Sequence, residues 1–270
     1  MPFFRAAASM LAIAAAMPAF AGPLAAHRAV YDLTLDRASD RSGVTGLSGR
    51  MVYEFNGSAC EGYTVNFRFV TRIATEDTQR LTDQQTTTFE DGDGTTFRFV
   101  TKSFVDQALD KEVRGSALRG DKGLIIALEK PAAEKLDLET TLFPTGHMID
   151  MIDRAAKGET FYETTIFDGS EDADRVMTTT VVLGQKADSK ADDPEAKAFG
   201  PARPAPYWPV TIAYFDPQGE GGGETPTYRI AFKLQEDGVT RDLVMDYGDF
   251  AMRGKLVDLS MMKPAACPQD

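Results

Sequence analysis

The sequence predicts a mainly β fold in a single domain, with many antiparallel strands and one short helix. Apolar and polar residues alternate at period two along most of the chain, as expected of strands with one buried face. Tight turns rich in Gly and Asp separate the alternating segments, and only one segment has helical spacing. We therefore expect roughly a dozen strands or more, arranged as an antiparallel sandwich, barrel or related curved sheet.

Residues 1–21 have the pattern of a secretory signal peptide. Arg5 supplies the positive charge, residues 6–17 form an uncharged apolar run, and small residues precede a cleavage site after Ala21. A second small-residue site ends at Ala26, so cleavage at that position is the alternative. The apolar run is shorter than the roughly 20 residues that a membrane span needs. We expect an exported, soluble mature protein that does not span the membrane.

The first strands are predicted from three segments with clear alternation. In "AVYDLTLD", Tyr31, Leu33 and Leu35 alternate with polar residues, and "RMVYEFNG" and "YTVNFRFV" repeat the pattern. Two hairpins follow, one turning at "DGDG" and the other at "GDKG", where glycine can take a positive φ. The later strand candidates are "TFYETTIFDG", "DRVMTTTVVLG", "YWPVTIAYFD", "YRIAFKLQEDG", "TRDLVMDYGDF" and "MRGKLVDLSMM".

The helix is predicted within "FPTGHMIDMIDRAAKGE". Thr145 is the candidate N-cap and Gly158 the candidate stop. We expect this helix to be a plug or lid that packs an apolar face on the sheet. The apolar residues that recur at helical spacing are Met148, Ile149, Ile152 and Ala156.

Two segments are predicted to be flexible loops inside one domain that spans residues 22–270. The first, near 187–206, is charged and rich in proline, and the second, near 216–226, is rich in glycine. Neither contains the lysine followed by Ser or Thr of a phosphate-binding loop. The strand pattern is the same on both sides of each loop, which indicates one domain and not two.

Composition argues against nucleic acid as a partner. The formal net charge is −12, and an acidic surface repels phosphate backbones and anionic membrane faces. Seventeen Phe and eight Tyr against one Trp suit β-structure.

Cys60 and Cys267 are the two cysteines of the chain. Outside the cytoplasm thiols tend to be oxidised, so an intramolecular bridge is the preferred interpretation. Two free thiols and an intermolecular bridge are the alternatives. The sequence has no C-x-x-C spacing, which argues against a redox-active pair.

No catalytic or cofactor-binding motif emerges from the sequence. The two histidines, His27 and His147, lie far apart along the chain and make a weak zinc case. "GLSGR" lacks the spacing of a serine nucleophile elbow. The weak calcium candidates are alternate oxygen-bearing residues in "DGSEDADR", namely Asp168, Ser170, Asp172 and Asp174. They lack the Gly and the bidentate Glu of an EF-hand loop, so we predict no metal and no cofactor.

Several stretches resemble the EipB family of periplasmic cell-envelope integrity proteins, which is found in alphaproteobacteria and was formerly a family of unknown function. They are "AHRAVYDLTL", "GLSGRMVYEF", "CEGYTVNFRF", "LFPTGHMIDMID" and "DYGDFAMRGKLVDL" before a C-terminal Cys. The resemblance covers the chain from Ala26 to Cys267. It implies a β-spiral like a partly opened barrel, a disulfide between Cys60 and Cys267, and a role in envelope integrity without an established enzymatic activity.

Three functional hypotheses follow. The first is a non-enzymatic periplasmic protein that supports the envelope by binding an envelope component or a protein partner. The second is a carrier or sensor of an apolar ligand such as a lipid. It is indicated by aromatic residues on strand faces, for which the competing interpretation is that they simply fill the core. The residues are Phe67, Phe69, Phe97 and Phe99. The third is a hydrolase that uses His147 and a nearby carboxylate.

Overall fold

A computed structural model describes residues 24–202, 204–219, 223–263 and 267. The described residues form one long helix, α1, and fourteen strands, with single 3-10 turns at Asp40–Ser42 and Ala196–Phe199. The predicted signal peptide, residues 1–21, lies outside the described residues. The helix spans Pro144–Ala156 and the strands are β1 His27–Ala38, β2 Val44–Ser58, β3 Gly62–Thr75, β4 Gln79–Glu90, β5 Thr96–Val105, β6 Ala108–Gly120, β7 Gly123–Lys130, β8 Glu134–Leu138, β9 Phe161–Ile166, β10 Met177–Leu183, β11 Tyr207–Phe215, β12 Tyr228–Gln235, β13 Thr240–Asp246 and β14 Phe250–Met261.

All fourteen described strands belong to one antiparallel sheet, in the order β8-β7-β6-β5-β4-β3-β2-β1-β14-β13-β12-β11-β10-β9. The chain lays down β1 to β8 outward from the centre, crosses by α1, and returns from β9 to β14 beside β1. β8 and β9 are its two ends, so the described sheet is open and not a closed barrel. The mainly β, antiparallel fold with one helix is therefore confirmed.

The period-two pattern sets which face of each strand is buried. In β1, Ala29, Tyr31 and Leu33 are at most 1% exposed, while the neighbouring Asp32 and Thr34 are not buried. Register shifts interrupt the pairing of β1 with β14 after Val30 and again after Leu35. Such bulges bend a strand and increase its twist, which helps a long sheet to curve.

Two apolar clusters lie on the concave side of the sheet. The larger one includes Tyr31, Trp208 and Leu234, with Met151 and Ile152 of α1 packed on it. The second is an aromatic core, which we define by Phe97, Phe99, Phe143 and Phe167 with aliphatic residues of β6 and β7 around them. The helix joins the two clusters, because Phe143 precedes α1 and belongs to the aromatic core.

The predicted helix is confirmed, with a change at its start. It begins at Pro144 and its N-cap is Phe143, so the prediction of Thr145 as the N-cap was wrong. Proline suits the first helical position because its missing N–H has no partner there. Gly158 follows the helix with φ +80°, as a stop residue should. The buried face carries Ala155 where the sequence suggested Ala156, which is exposed.

Buried ion pairs join the segment near 187–206, which was predicted to be a flexible loop, to Arg241 of β13. Arg241 is fully buried and donates to Asp193 Oδ2 at 2.6 Å and to Ser189 Oγ at 2.6 Å. Glu195 Oε1 accepts the backbone N–H of Leu256 at 2.6 Å. We call Asp193, Glu195 and Arg241 the ionic cluster. In the sequence, the charges of this segment had indicated a solvated loop.

The segment near 216–226 is only partly described. Asp216 is buried and pairs with Arg175 Nη1 at 2.7 Å.

The first described residues pack against the sheet. Leu24 and Ala26 are buried, and Ala25 donates its N–H to the carbonyl of Asp237. Among the residues described, no helix has the length and apolar character needed to cross a membrane.

Candidate functional site

A cavity of about 320 Å³ lies between the concave face of the sheet and α1. This volume is within the range of roughly 300–1,000 Å³ that is typical of small-molecule sites. Apolar and aromatic side chains dominate its wall, which is lined by Leu24, His27, Tyr31, Met51, Tyr53, Phe55, Val65, Phe67, Pro144, Thr145, His147, Met148, Met151, Ile166, Asp168, Ile212, Tyr214, Tyr228, Ile230, Phe232, Asp237, Gly238, Thr240, Leu243 and Met245.

Strand alternation and register place these side chains on one face. In β2 and β3, Tyr53 lies opposite Phe67, and Phe55 opposite Val65. In β11 and β12 the cross-strand pairs are Ile212 with Ile230 and Tyr214 with Tyr228. Residues two apart on a strand share a face, so each pair of strands contributes two adjacent layers to the wall.

The helix that roofs the cavity is held by Glu90 at the end of β4. Its carboxylate accepts the backbone N–H of Thr145 at 2.7 Å and of Gly146 at 2.9 Å. These are N–H groups of the first helical turn, which have no partner inside the helix, and a negative charge is favourable at this end. Burial raises the pKa of Glu90, and the two backbone hydrogen bonds oppose that shift.

Both histidines line this cavity, although they lie 120 positions apart in the sequence. His147, on α1, is 3% exposed, and burial lowers its pKa to about 4. Its Nε2 atom is buried without a hydrogen-bond partner among the described residues. His27 Nδ1 lies 2.7 Å from the carbonyl oxygen of Ala25, and burial lowers the pKa of its ring as well. Burial therefore favours the neutral form of both rings.

This environment is unfavourable for the hydrolase hypothesis. A general base works best with a pKa near the working pH, whereas His147 is a much weaker base than that. Asp150 is the carboxylate that influences His147, and it is hydrogen-bonded to Arg154 at 2.8 Å. His147 is therefore better described as a polar side chain in a mainly apolar cavity wall.

The calcium candidates do not converge. Asp168 Oδ1 accepts the backbone N–H of Ser170 at 2.9 Å, Asp172 pairs with Lys111 at 2.7 Å, and Asp174 pairs with Arg175 at 2.7 Å. No cluster of three or more His, Cys, Asp or Glu with metal-binding geometry occurs in the part of the chain that the structure describes.

The four phenylalanines that suggested an apolar ligand separate into two groups. Phe67 lines the cavity, and Phe69 packs beside it with ring centroids 5.9 Å apart. Phe97 and Phe99 are at most 1% exposed and belong to the aromatic core, away from the cavity. The core-filling alternative thus describes Phe97 and Phe99, and the ligand alternative retains Phe67.

Cys60 and Cys267 are joined by a disulfide in the structure, with their Cα atoms 5.7 Å apart. This is the pairing that the resemblance implied and that the residues alone had left open. Cys60 lies in the turn between β2 and β3, and both cysteines are exposed. The bridge lies outside the cavity wall, which fits a structural role.

Sequence reasoning missed Glu90, Tyr214 and Tyr228. The alternation in "YWPVTIAYFD" places Ile212 and Tyr214 on one face, which is a usable signal. The pairing of Tyr214 with Tyr228 depends on register across a long loop, and the link from Glu90 to α1 joins residues 55 positions apart. Neither has a local sequence signature.

Comparison with known proteins gives three consistent results. The EipB-like family matches residues 18–263. The cell envelope integrity protein EipB of Brucella abortus (strain 2308) is 59% identical over 248 residues, covering 92% of this chain and 88% of the relative. A crystal structure of a beta-barrel-like protein of the DUF1849 family from Brucella abortus superposes with a TM-score of 0.85 at 58% identity, covering 89% of this chain and 99% of that chain.

Proposed function

The chain belongs to the EipB-like family, and on that premise we propose that it supports cell-envelope integrity by binding an apolar envelope component in the cavity beneath α1. The observation that carries the proposal is the cavity itself: about 320 Å³, lined mainly by apolar and aromatic side chains. Protein interiors are normally close-packed, so a space of this size with a few polar groups is the usual form of a ligand site.

We propose that this role is non-enzymatic and is carried out in the periplasm. The signal-like pattern of residues 1–21 and a disulfide both suit an oxidising compartment. Burial in an apolar wall favours the neutral form of both histidines, which suits ligand contact better than proton transfer.

A protein partner is the second candidate for binding. Two pairs of exposed apolar residues lie on the outer face, Phe161 beside Val182 and Leu118 beside Ile125. We rank this candidate second because each patch is only two residues wide, whereas protein interfaces of standard size bury about 800 Å² on each partner.

Mass spectrometry of gently purified protein tests the proposal. We expect the protein from its own envelope to carry a lipid-like molecule. Val65→Trp, which places an indole ring in the cavity and obstructs it, should be folded and empty, while Val257→Trp, on the exposed face of β14, should carry the molecule as the wild type does. A strain with Val65→Trp should show the envelope defect of a deletion strain. Repeated recovery of empty wild-type protein, or normal envelope integrity with Val65→Trp, would contradict the proposal.

A further inference from the structure

A second depression of about 560 Å³ adjoins the cavity where β4–β6 face β11 and β12. We call it the groove. Asp168, Tyr214 and Tyr228 line both the cavity and the groove. These three residues therefore form a shared boundary, and a single elongated molecule that passes them could occupy both spaces.

The two spaces differ in chemistry. The cavity wall is mainly apolar, whereas the groove presents neutral hydrogen-bonding side chains from several strands and loops. Such groups bind hydroxyl and amide groups of a ligand without the cost of burying a charge. The neutral polar residues of the groove are Gln84, Thr101, Ser103, Ser170 and Thr227.

The charges of the groove do not favour an anion. Lys111 is paired with Asp172 at 2.7 Å. Arg175 is held by two carboxylates, Asp174 and Asp216, each at 2.7 Å. Asp168 and Glu171 also line the groove, so an anionic group would meet carboxylates and two cations that are already neutralised.

The boundary is held in place by close packing. The rings of Tyr214 and Tyr228 stack with centroids 5.0 Å apart, and Tyr247 extends the stack at 5.3 Å from Tyr228. Asp168 is followed by Gly169 at φ +68°, where an added Cβ would lie 2.5 Å from the Phe99 ring. Only glycine fits at that position, so the backbone that carries Asp168 is anchored to the aromatic core.

We propose that the ligand is an amphiphile whose apolar chain lies in the cavity and whose uncharged, hydroxyl-rich head lies in the groove. The inference rests on the proposed function, since it assumes that the cavity holds an apolar chain. It adds the head group: the groove selects a sugar-like or other polyhydroxyl head over an anionic one. The stacked tyrosines suit such a head, because aromatic rings beside hydrogen-bonding groups provide both apolar and polar contacts.

Titration calorimetry with two amphiphiles whose alkyl chains are nearly equal in length tests the inference. The probes are dodecyl maltoside and laurate, each below its micelle concentration, added to the full mature protein after removal of any bound material. We expect dodecyl maltoside to bind at least roughly tenfold more tightly than laurate, which corresponds to about 1.4 kcal/mol. Maltose alone should show no measurable binding, because it leaves the cavity unused.

Variants separate the head from the chain. Thr101→Val removes a groove hydroxyl and should weaken dodecyl maltoside several-fold without changing laurate binding. Thr87→Val, an exposed threonine whose side chain faces Asn66 and not the groove, is the matched control and should change neither. Val65→Trp should abolish binding of both probes, because the indole ring obstructs the cavity.

The outcomes distinguish this inference from the proposed function. Equal affinities for the two probes, or tighter binding of laurate, would overturn head-group selection and leave an apolar carrier intact. Binding of neither probe would also overturn the inference. Whether the proposed function then survives depends on the separate measurement of co-purified molecules, which does not use these probes.

Discussion

The aromatic core and the cavity are built by the same sheet, yet only the aromatic core is filled. Around Phe97, the ring centroids of Phe99, Phe143 and Phe167 lie 5.1–6.2 Å away, in stacked and edge-on arrangements. Beneath α1, side chains of the same kind leave about 320 Å³ open. The difference predicts that the aromatic core contributes more to stability than the cavity wall does, and on our proposal the open space holds a ligand.

The largest loss of stability should come from truncating a side chain of the aromatic core. Phe97→Ala should lower the free energy of unfolding by roughly 3–5 kcal/mol, the usual cost of truncating a buried phenylalanine. Phe67→Ala in the cavity wall should cost about 1–2 kcal/mol, because Phe67 is half-buried and its removal enlarges existing space. Urea unfolding of both variants without ligand measures the difference. Equal losses would show that the cavity wall is as important for stability as the aromatic core.

Removing the disulfide should be nearly as destabilising, although it lies outside both regions. The bridge joins residues 207 positions apart, and losing a native disulfide typically costs about 2–5 kcal/mol. Cys60→Ser and Cys267→Ser should therefore behave alike, and the double variant should be no worse than either single variant.

The two cysteine variants also serve as a control for ligand binding. Because the disulfide lies outside the cavity wall, the folded fraction of each variant should bind ligand as the wild type does. Thermal melts with and without reductant, beside mass spectrometry of the bound molecule, provide both measurements. A melt that is indifferent to reductant would refute the structural role. Loss of ligand from folded Cys60→Ser would show that the bridge affects the cavity.

The sequence predicted the β fold well because its signals are local. Alternation fixes the faces of β1 to β3, and a glycine stop marks the end of α1, since both depend on residues within a few positions of one another. The ionic cluster shows the limit of this reasoning. Asp193 and Arg241 are 48 positions apart, and the charged segment around Asp193 has the composition of a solvated loop. Only the fold shows that its charges are paired and buried.

The candidate site was predictable only in part, for the same reason. The aromatic strand faces were visible in the sequence, but their division between a filled core and a cavity wall depends on how far the sheet curves. Nothing in the sequence indicated that His27 and His147 line one cavity. His27 lies on β1 and His147 on α1, and only the folded sheet with its crossover helix brings the two together. The groove depends on β4–β6 facing β11 and β12, which no single segment specifies.

Acid should act through the cavity more than through the aromatic core, which contains no titratable side chain among its described members. Burial lowers the pKa of His147 from 6.5 to about 4, so the unfolded chain binds more protons than the folded one between these values. Stability is then complete above pH 6.5 and falls as the pH drops toward 4. Between pH 7 and 5 this residue should account for a loss of roughly 2 kcal/mol.

Comparing the wild type with His147→Leu isolates this contribution. Glu90, with its raised pKa, acts in the opposite direction, because its protonation at low pH favours the folded state, but it is present in both proteins. His27, with its lowered pKa, contributes to the same acid loss in both. The unfolding free energy should therefore decline less steeply with acid in His147→Leu. Parallel pH profiles would mean that His147 does not titrate differently in the two states.

The smallest effect should come from adding volume, and it compares the two regions most directly. Ile126 in the aromatic core and Ile212 in the cavity wall are both nearly fully buried on strands. Ile126→Phe must force neighbours apart and should cost roughly 1–2 kcal/mol. Ile212→Phe can extend into open space, so its unfolding free energy without ligand should stay within about 0.5 kcal/mol of the wild type. Ligand binding should show the reverse order, being unchanged in Ile126→Phe and weakened in Ile212→Phe. If Ile212→Phe is the more destabilised variant and still binds ligand fully, its side chain does not reach the cavity and the distinction between the two regions fails.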